Sequence, residues 1–154
     1  MARWGIFMKS KGLIWASTLA IVASQPASAH WQFTKWGMTP EQVIAASHGE
    51  ASWQTNNGQR ELNMKFLSGT FHLNALFVFD QTNHLSQVQV GSDTDVYGIL
   101  NALKGKYGKP AEGGDQCEHC IWYTDEDRIV ATAAGGLYVQ IAYFPRTSTG
   151  SSGL

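Results

Sequence analysis

The chain predicts an α+β fold: an antiparallel β-sheet with two helices packed on one face, arranged as two halves of α-β-β-β type. Three observations carry this expectation. Two segments repeat apolar residues at helical spacing between cap signals, and several segments alternate apolar and polar residues with a period of two. The turns between the alternating segments are short and polar, which favours antiparallel neighbours.

Read in chain order, the first 29 residues stand apart. Arg3, Lys9 and Lys11 form a positive start, Leu13 to Ser24 is an apolar run short for a bilayer span, and Ala27-Ser28-Ala29 offers small residues for a cleavage site. The expectation is a secretory signal peptide over 1–29, cut between Ala29 and His30. Because His30 rather than a cysteine comes after the cut, no lipid attachment and no stable membrane anchor are expected, and the protein is expected in the periplasm or secreted. Residues 30–146 are expected to form one domain, and the Ser/Thr/Gly-rich tail over 147–154 is expected to be disordered. Eight basic residues against twelve acidic ones lie beyond the cut, a balance that argues against nucleic acid as a partner.

The first helix is expected over about 40–48. Thr39 can cap it, Pro40 suits its first position, Gln42 stands where a capping-box partner would, and Gly49 is a natural stop. Strands come next. Leu62, Met64 and Phe66 alternate with Glu61, Asn63 and Lys65, and after Ser68-Gly69 the alternation resumes from Phe71 to Phe79. Gln81 to His84 make a turn into a return strand from Leu85 to Val90, in which Val88 and Val90 oppose Gln87 and Gln89. The second helix starts among Ser92, Asp93 and Asp95, carries Val96, Ile99, Leu100, Leu103 and Tyr107 at helical spacing, and ends at Gly108 and Pro110. Lys104, Lys106 and Lys109 read as its solvated C-terminal end. Three further strands are expected at Ile121 to Thr124, Arg128 to Ala133 and Leu137 to Phe144. Asp125-Glu126-Asp127 and Gly135-Gly136 read as the turns between them, with the three carboxylates solvated.

The stretch Trp36-Gly-Met-Thr-Pro-Glu-Gln-Val43, the Leu76-Phe-Val-Phe79 hairpin strand and the helix end Lys106-Tyr-Gly-Lys-Pro110 resemble small secreted bacterial proteins of helix-then-sheet build. The BamE-like outer-membrane assembly components and the β-lactamase-inhibitor proteins share that build. The resemblance, which spans roughly residues 36 to 144 as an order of elements, implies a protein that works by binding other proteins and has no catalytic residues. This chain differs from the first family in having no lipidation cysteine at the expected cut.

Cys117-Glu118-His119-Cys120 is the one dense chemical motif. Covalent haem attachment requires a histidine directly after the second cysteine, where Ile121 stands. A thioredoxin-type pair requires its first cysteine at a helix start, whereas Ile121-Trp122-Tyr123 continues as a strand. A metal site could draw on Cys117, His119 and Cys120, but a structural zinc needs a fourth ligand, and no second pair has ligand spacing. What remains is a Cys117–Cys120 disulfide closing a tight loop, which the oxidising compartment favours, or two free thiols. No phosphate loop, nucleophile elbow or paired-histidine helix is present, so no enzyme and no cofactor are expected.

Trp31, Trp36, Trp53, Trp122, Tyr123 and Tyr138 are an aromatic set that a core or a binding surface could use. A binding face is expected on the sheet side away from the helices, where His72, Asn74, Gln87, Gln89, Tyr138 and Gln140 would point outward. The functional expectation is an exported, non-enzymatic interaction domain that binds another envelope protein through its sheet or aromatic lead-in. The alternative is a redox or metal-handling protein centred on the cysteine motif.

Overall fold

A computed structural model describes residues 31–146. The expected signal peptide, its Ala29/His30 cut and the expected tail lie outside the described residues. Within them the order is α1 (Pro40–Ala46), β1 (Ser52–Asn56), β2 (Gln59–Ser68), β3 (Phe71–Phe79), β4 (Leu85–Ser92), α2 (Val96–Tyr107), β5 (His119–Tyr123), β6 (Asp127–Ala134) and β7 (Tyr138–Pro145). All seven strands form one antiparallel sheet in the order β1-β2-β3-β4-β7-β6-β5, so the fold is α+β. Two meanders, β1 to β4 and β5 to β7, meet at a seam between β4 and β7.

Both helices start where the sequence signals place them. Thr39 caps α1 by accepting from the Gln42 N–H, while the Gln42 side chain accepts from the Thr39 N–H at 2.9 Å, a complete capping box with Pro40 inside it. Helix α2 is capped by Asp95, whose carboxylate accepts from the Gly98 N–H at 3.1 Å. The C-terminal end of α2 is less solvated than its lysines suggest. Lys104 is half-buried and donates to the Asp115 carbonyl, tying the helix to the loop that carries Cys117.

One strand was not legible. β1 carries a single large apolar residue, Trp53, so it shows no alternation. Its signal was Asn57-Gly58, both at positive φ (48° and 78°), which close a two-residue hairpin onto β2. The first half is therefore one helix with four strands rather than three.

Alternate strand residues build the core. Leu62, Ala75, Phe77, Val88, Val90, Ile129, Ala131, Val139, Ile141 and Tyr143 are buried and form one cluster with Val43 of α1 and Val96, Ile99, Leu100 and Leu103 of α2. That shared cluster accords with both helices lying over one face of the sheet. The lead-in before α1 belongs to the same core. Trp31 packs edge-on against Phe66 and Phe77, at centroid distances of 5.2 and 5.7 Å, and Gly37 and Met38 exchange backbone hydrogen bonds with Leu85. The lead-in thus crosses the first meander and reaches the second, where the Trp36 Nε1–H donates to Asp127 Oδ1 at 2.9 Å.

This last contact corrects the expectation that Asp125, Glu126 and Asp127 form a solvated turn. Asp127 is the first residue of β6 and is 1% exposed. A carboxylate is costly to bury unpartnered, and the Trp36 indole supplies a donor from far along the chain that local sequence could not announce.

Candidate functional site

The outward-facing side chains of the sheet form a patch of amides and aromatics. Strand pairing aligns Asn74 of β3 with Gly91 of β4, and Gly91 in turn with Gln140 of β7. In the next row Leu76 pairs with Gln89, and Gln89 with Ala142. Gln140 Nε2 donates to Gln89 Oε1 at 2.8 Å, across the seam between the two halves. Tyr138 lies over Gly91, so closely that a Cβ there would stand 2.1 Å from the hydroxyl oxygen and 3.0 Å from the ring. A glycine inside a strand often marks such a close approach, and Gly91 was not among the residues expected at this face.

His72 stands two residues before Asn74, exposed on the same side, and its backbone carbonyl accepts from the Ser92 hydroxyl at 2.8 Å. Gln87 pairs with Val78 further along β4 and is half-buried. The structure therefore groups Asn74, Gln89, Tyr138 and Gln140 around Gly91, continues the patch to His72, and leaves Gln87 at its margin. Lys65 pairs with Asn74 and supplies a positive rim. His72, Asn74, Gly91 and Lys65 also help line an open groove of about 1130 Å³ that extends towards His48 and Glu50.

The aromatic set divides. Trp31 and Trp122 are buried, and Trp36 packs partly buried against the core with its indole N–H held by Asp127. Trp122 also donates its indole N–H to the Gly108 carbonyl at 2.9 Å, locking the end of α2 against β5. Trp53, Tyr123 and Tyr138 are 36%, 45% and 43% exposed. Only Tyr138 of these belongs to the patch around Gly91.

The cysteines lie at disulfide distance, with S–S 2.04 Å and Cα–Cα 5.2 Å. Both are buried, Cys117 at 1% and Cys120 at 0% exposure. His119 between them is exposed and contacts Thr132 Oγ1 through its Nδ1 at 3.2 Å. Among the described residues, no group of three or more His, Cys, Asp or Glu side chains could hold a metal ion. Sulfurs bonded to each other and shielded from solvent are poorly placed for thiol exchange, which needs an accessible thiolate or disulfide.

Among the described residues no helix is long and apolar enough to cross a membrane. No family model, curated protein or solved structure matches the chain.

Proposed function

We propose that this is an exported, non-enzymatic interaction domain that binds another envelope protein through the outer face of its sheet. The observation that carries this reading is the grouping of Asn74, Gln89 and Gln140 around Gly91, with Tyr138 laid over that glycine. Interface cores are depleted in charge and enriched in tyrosine, and a wet interface uses amides that can both donate and accept. A protein partner satisfies those amides and covers Tyr138 without requiring a deep pocket. The resemblance to the BamE-like and β-lactamase-inhibitor builds points to the same class of function. The leader and its expected cut at Ala29/His30 support export, and the Cys117–Cys120 pair suits an oxidising compartment.

A photo-crosslinking residue placed in living cells at Asn74 or Gln140, with the exposed Asn101 of α2 as the control position, tests the reading. The expected result is a discrete protein adduct from the sheet positions and none from the control. Absence of any adduct at the sheet positions, or equal adducts at all three, removes the outer face as the binding surface. The redox and metal alternative is tested by replacing Cys117 and Cys120 with serine. On the interaction reading, crosslinking at Gln140 persists, because the cysteines lie in β5 and the loop before it, and β5 is two strands away from β7.

A further inference from the structure

The two edges of the sheet are treated differently. At the β5 edge the Ala111 and Glu112 N–H groups donate to the Ile121 carbonyl at 2.8 and 3.3 Å, and the Ile121 N–H donates to the Glu112 carbonyl at 3.0 Å. Gly113 then passes so close that a Cβ would stand 2.2 Å from the His119 carbonyl oxygen. That strap covers the middle of β5. Nothing among the described residues pairs with the outer edge of β1.

Strand β1 also lacks the usual protection of a free edge. Ser52-Trp53-Gln54-Thr55-Asn56 contains no charge and no proline, and its register with β2 runs without a bulge from Ser52↔Asn63 to Asn56↔Gln59. The hairpin geometry says which groups are free. A two-residue turn with both residues at positive φ closes on a hydrogen-bonded pair, here Asn56 and Gln59. Alternation then turns the backbone groups of Gln54 and Ser52 towards β2 and leaves the N–H and C=O of Trp53 and Thr55 facing outward.

We propose that β1 is a self-pairing edge, through which two copies of this chain join antiparallel about a two-fold axis at Gln54. Each Trp53 exchanges both backbone hydrogen bonds with Thr55 of the second copy, and Gln54 meets Gln54. The pairing opposes an aromatic to a β-branched residue, brings the two Trp53 rings into diagonal reach, and sets no charge against a like charge. Trp53, 36% exposed and carrying the Arg60 guanidinium 4.6 Å above its ring, sits at the joint. The self-complementary register at Gln54 suits a second copy, and the strap across the middle of β5 leaves β1 as the edge through which copies join. The strap hinders head-to-tail growth from β1 to β5, whereas a two-fold β1 joint closes on itself and leaves only the two strapped β5 edges. The outer amide faces of the two copies then lie on one continuous sheet.

Sedimentation velocity over a concentration series tests this with the purified chain and three variants. Thr55→Pro removes an N–H that no hydrogen bond among the described residues uses, a substitution that edge strands tolerate. Gln54→Glu adds a carboxylate in line with Glu61, which pairs with Gln54, so the joint would align carboxylates from both copies. The expected result is a dimer for the unaltered chain and a folded monomer for Thr55→Pro, with circular dichroism unchanged. For Gln54→Glu the dissociation constant should rise by roughly tenfold, for which about 1.4 kcal/mol suffices. Mixing Gln54→Glu with Gln54→Lys should bring the dissociation constant back below that of Gln54→Glu alone, a result that separates pairing at this residue from loss of fold. A monomer at every concentration overturns the proposal and leaves the edge to a foreign strand. A dimer that none of the substitutions weakens overturns it by placing the interface elsewhere.

Discussion

At the scale of single residues, the buried polar contacts decide how tightly the chain ends are held. Asp127 and Trp36 are 91 positions apart, and their hydrogen bond fastens the lead-in to β6. Trp36→Phe keeps most of the ring volume but removes the donor, leaving a 1%-exposed carboxylate short of a partner. The expected loss is about 2 kcal/mol, in the range for hydrogen bonds to charged groups, measured by urea unfolding. Tyr143, paired with Ile129 on the core side, has its phenol pKa pushed well above the usual 10.0 by burial, then by Tyr107 and Asp127. A raised acid pKa means the native state holds its proton longer than the unfolded chain does. The corresponding stability is complete below about pH 10 and is lost as pH rises beyond it. Tyr143→Phe abolishes this dependence, so the gap between unaltered chain and variant should narrow above pH 10 in urea midpoints taken across that range. A gap that does not change with pH shows that Tyr143 titrates normally. Neither contact was legible beforehand, because the partners of Asp127 and Tyr143 are brought by other elements.

At the scale of elements, capping and alternation made most of the secondary structure readable, since they are local. Thr39 to Gln42 announced α1, and the period of two from Leu62 to Phe66 and from Phe71 to Phe79 announced β2 and β3. β1 escaped because it is held by its hairpin and by pairing with β2, not by burial of its own side chains. The connection from α2 to β5 is closely constrained in shape. Gly113 has φ +103°, and a Cβ on it would stand 2.9 Å from Cys120 Sγ as well as against the His119 carbonyl. Gly113→Ala should therefore displace the strap and expose the β5 backbone, read as faster amide hydrogen exchange at Ile121. Unchanged exchange there would mean that the strap does not protect the edge. The bridge between Cys117 and Cys120 closes a short loop, worth about 2 kcal/mol of unfolded-chain entropy. Replacing both cysteines by serine should lower stability by about that amount under oxidising conditions and leave the fold intact, measured by urea unfolding with and without reductant. A larger loss, or loss of fold, would assign the bridge more than a local role.

At the scale of the whole molecule, the site and the core share one seam. The expected outward set proved largely contiguous because parity along each strand fixes which side a residue faces. The sequence could not show that Gly91 makes room for Tyr138 to lie directly on β4, since that depends on how β4 and β7 are placed side by side. On the core side of the same seam Val88 pairs with Tyr143, Val90 with Ile141 and Ser92 with Val139. The two meanders thus bury their apolar residues in one cluster with both helices, and neither half has a complete core alone. Ile141 lies at the centre of that arrangement, between Val90 of the first half and Ala131 of the second. Ile141→Ala should cost about 3 kcal/mol, as large-to-small core substitutions do. Because the core is shared, the loss should fall on both halves together. Trp31 reports on the first half and Trp122 on the second, so a pair of single-tryptophan-label variants distinguishes the outcomes. Coincident, equally shifted unfolding curves at both positions are expected of one cooperative unit. If the Trp122 curve shifts while the Trp31 curve stays, the second half unfolds separately, and the seam is a contact between two independently stable bodies rather than the centre of one.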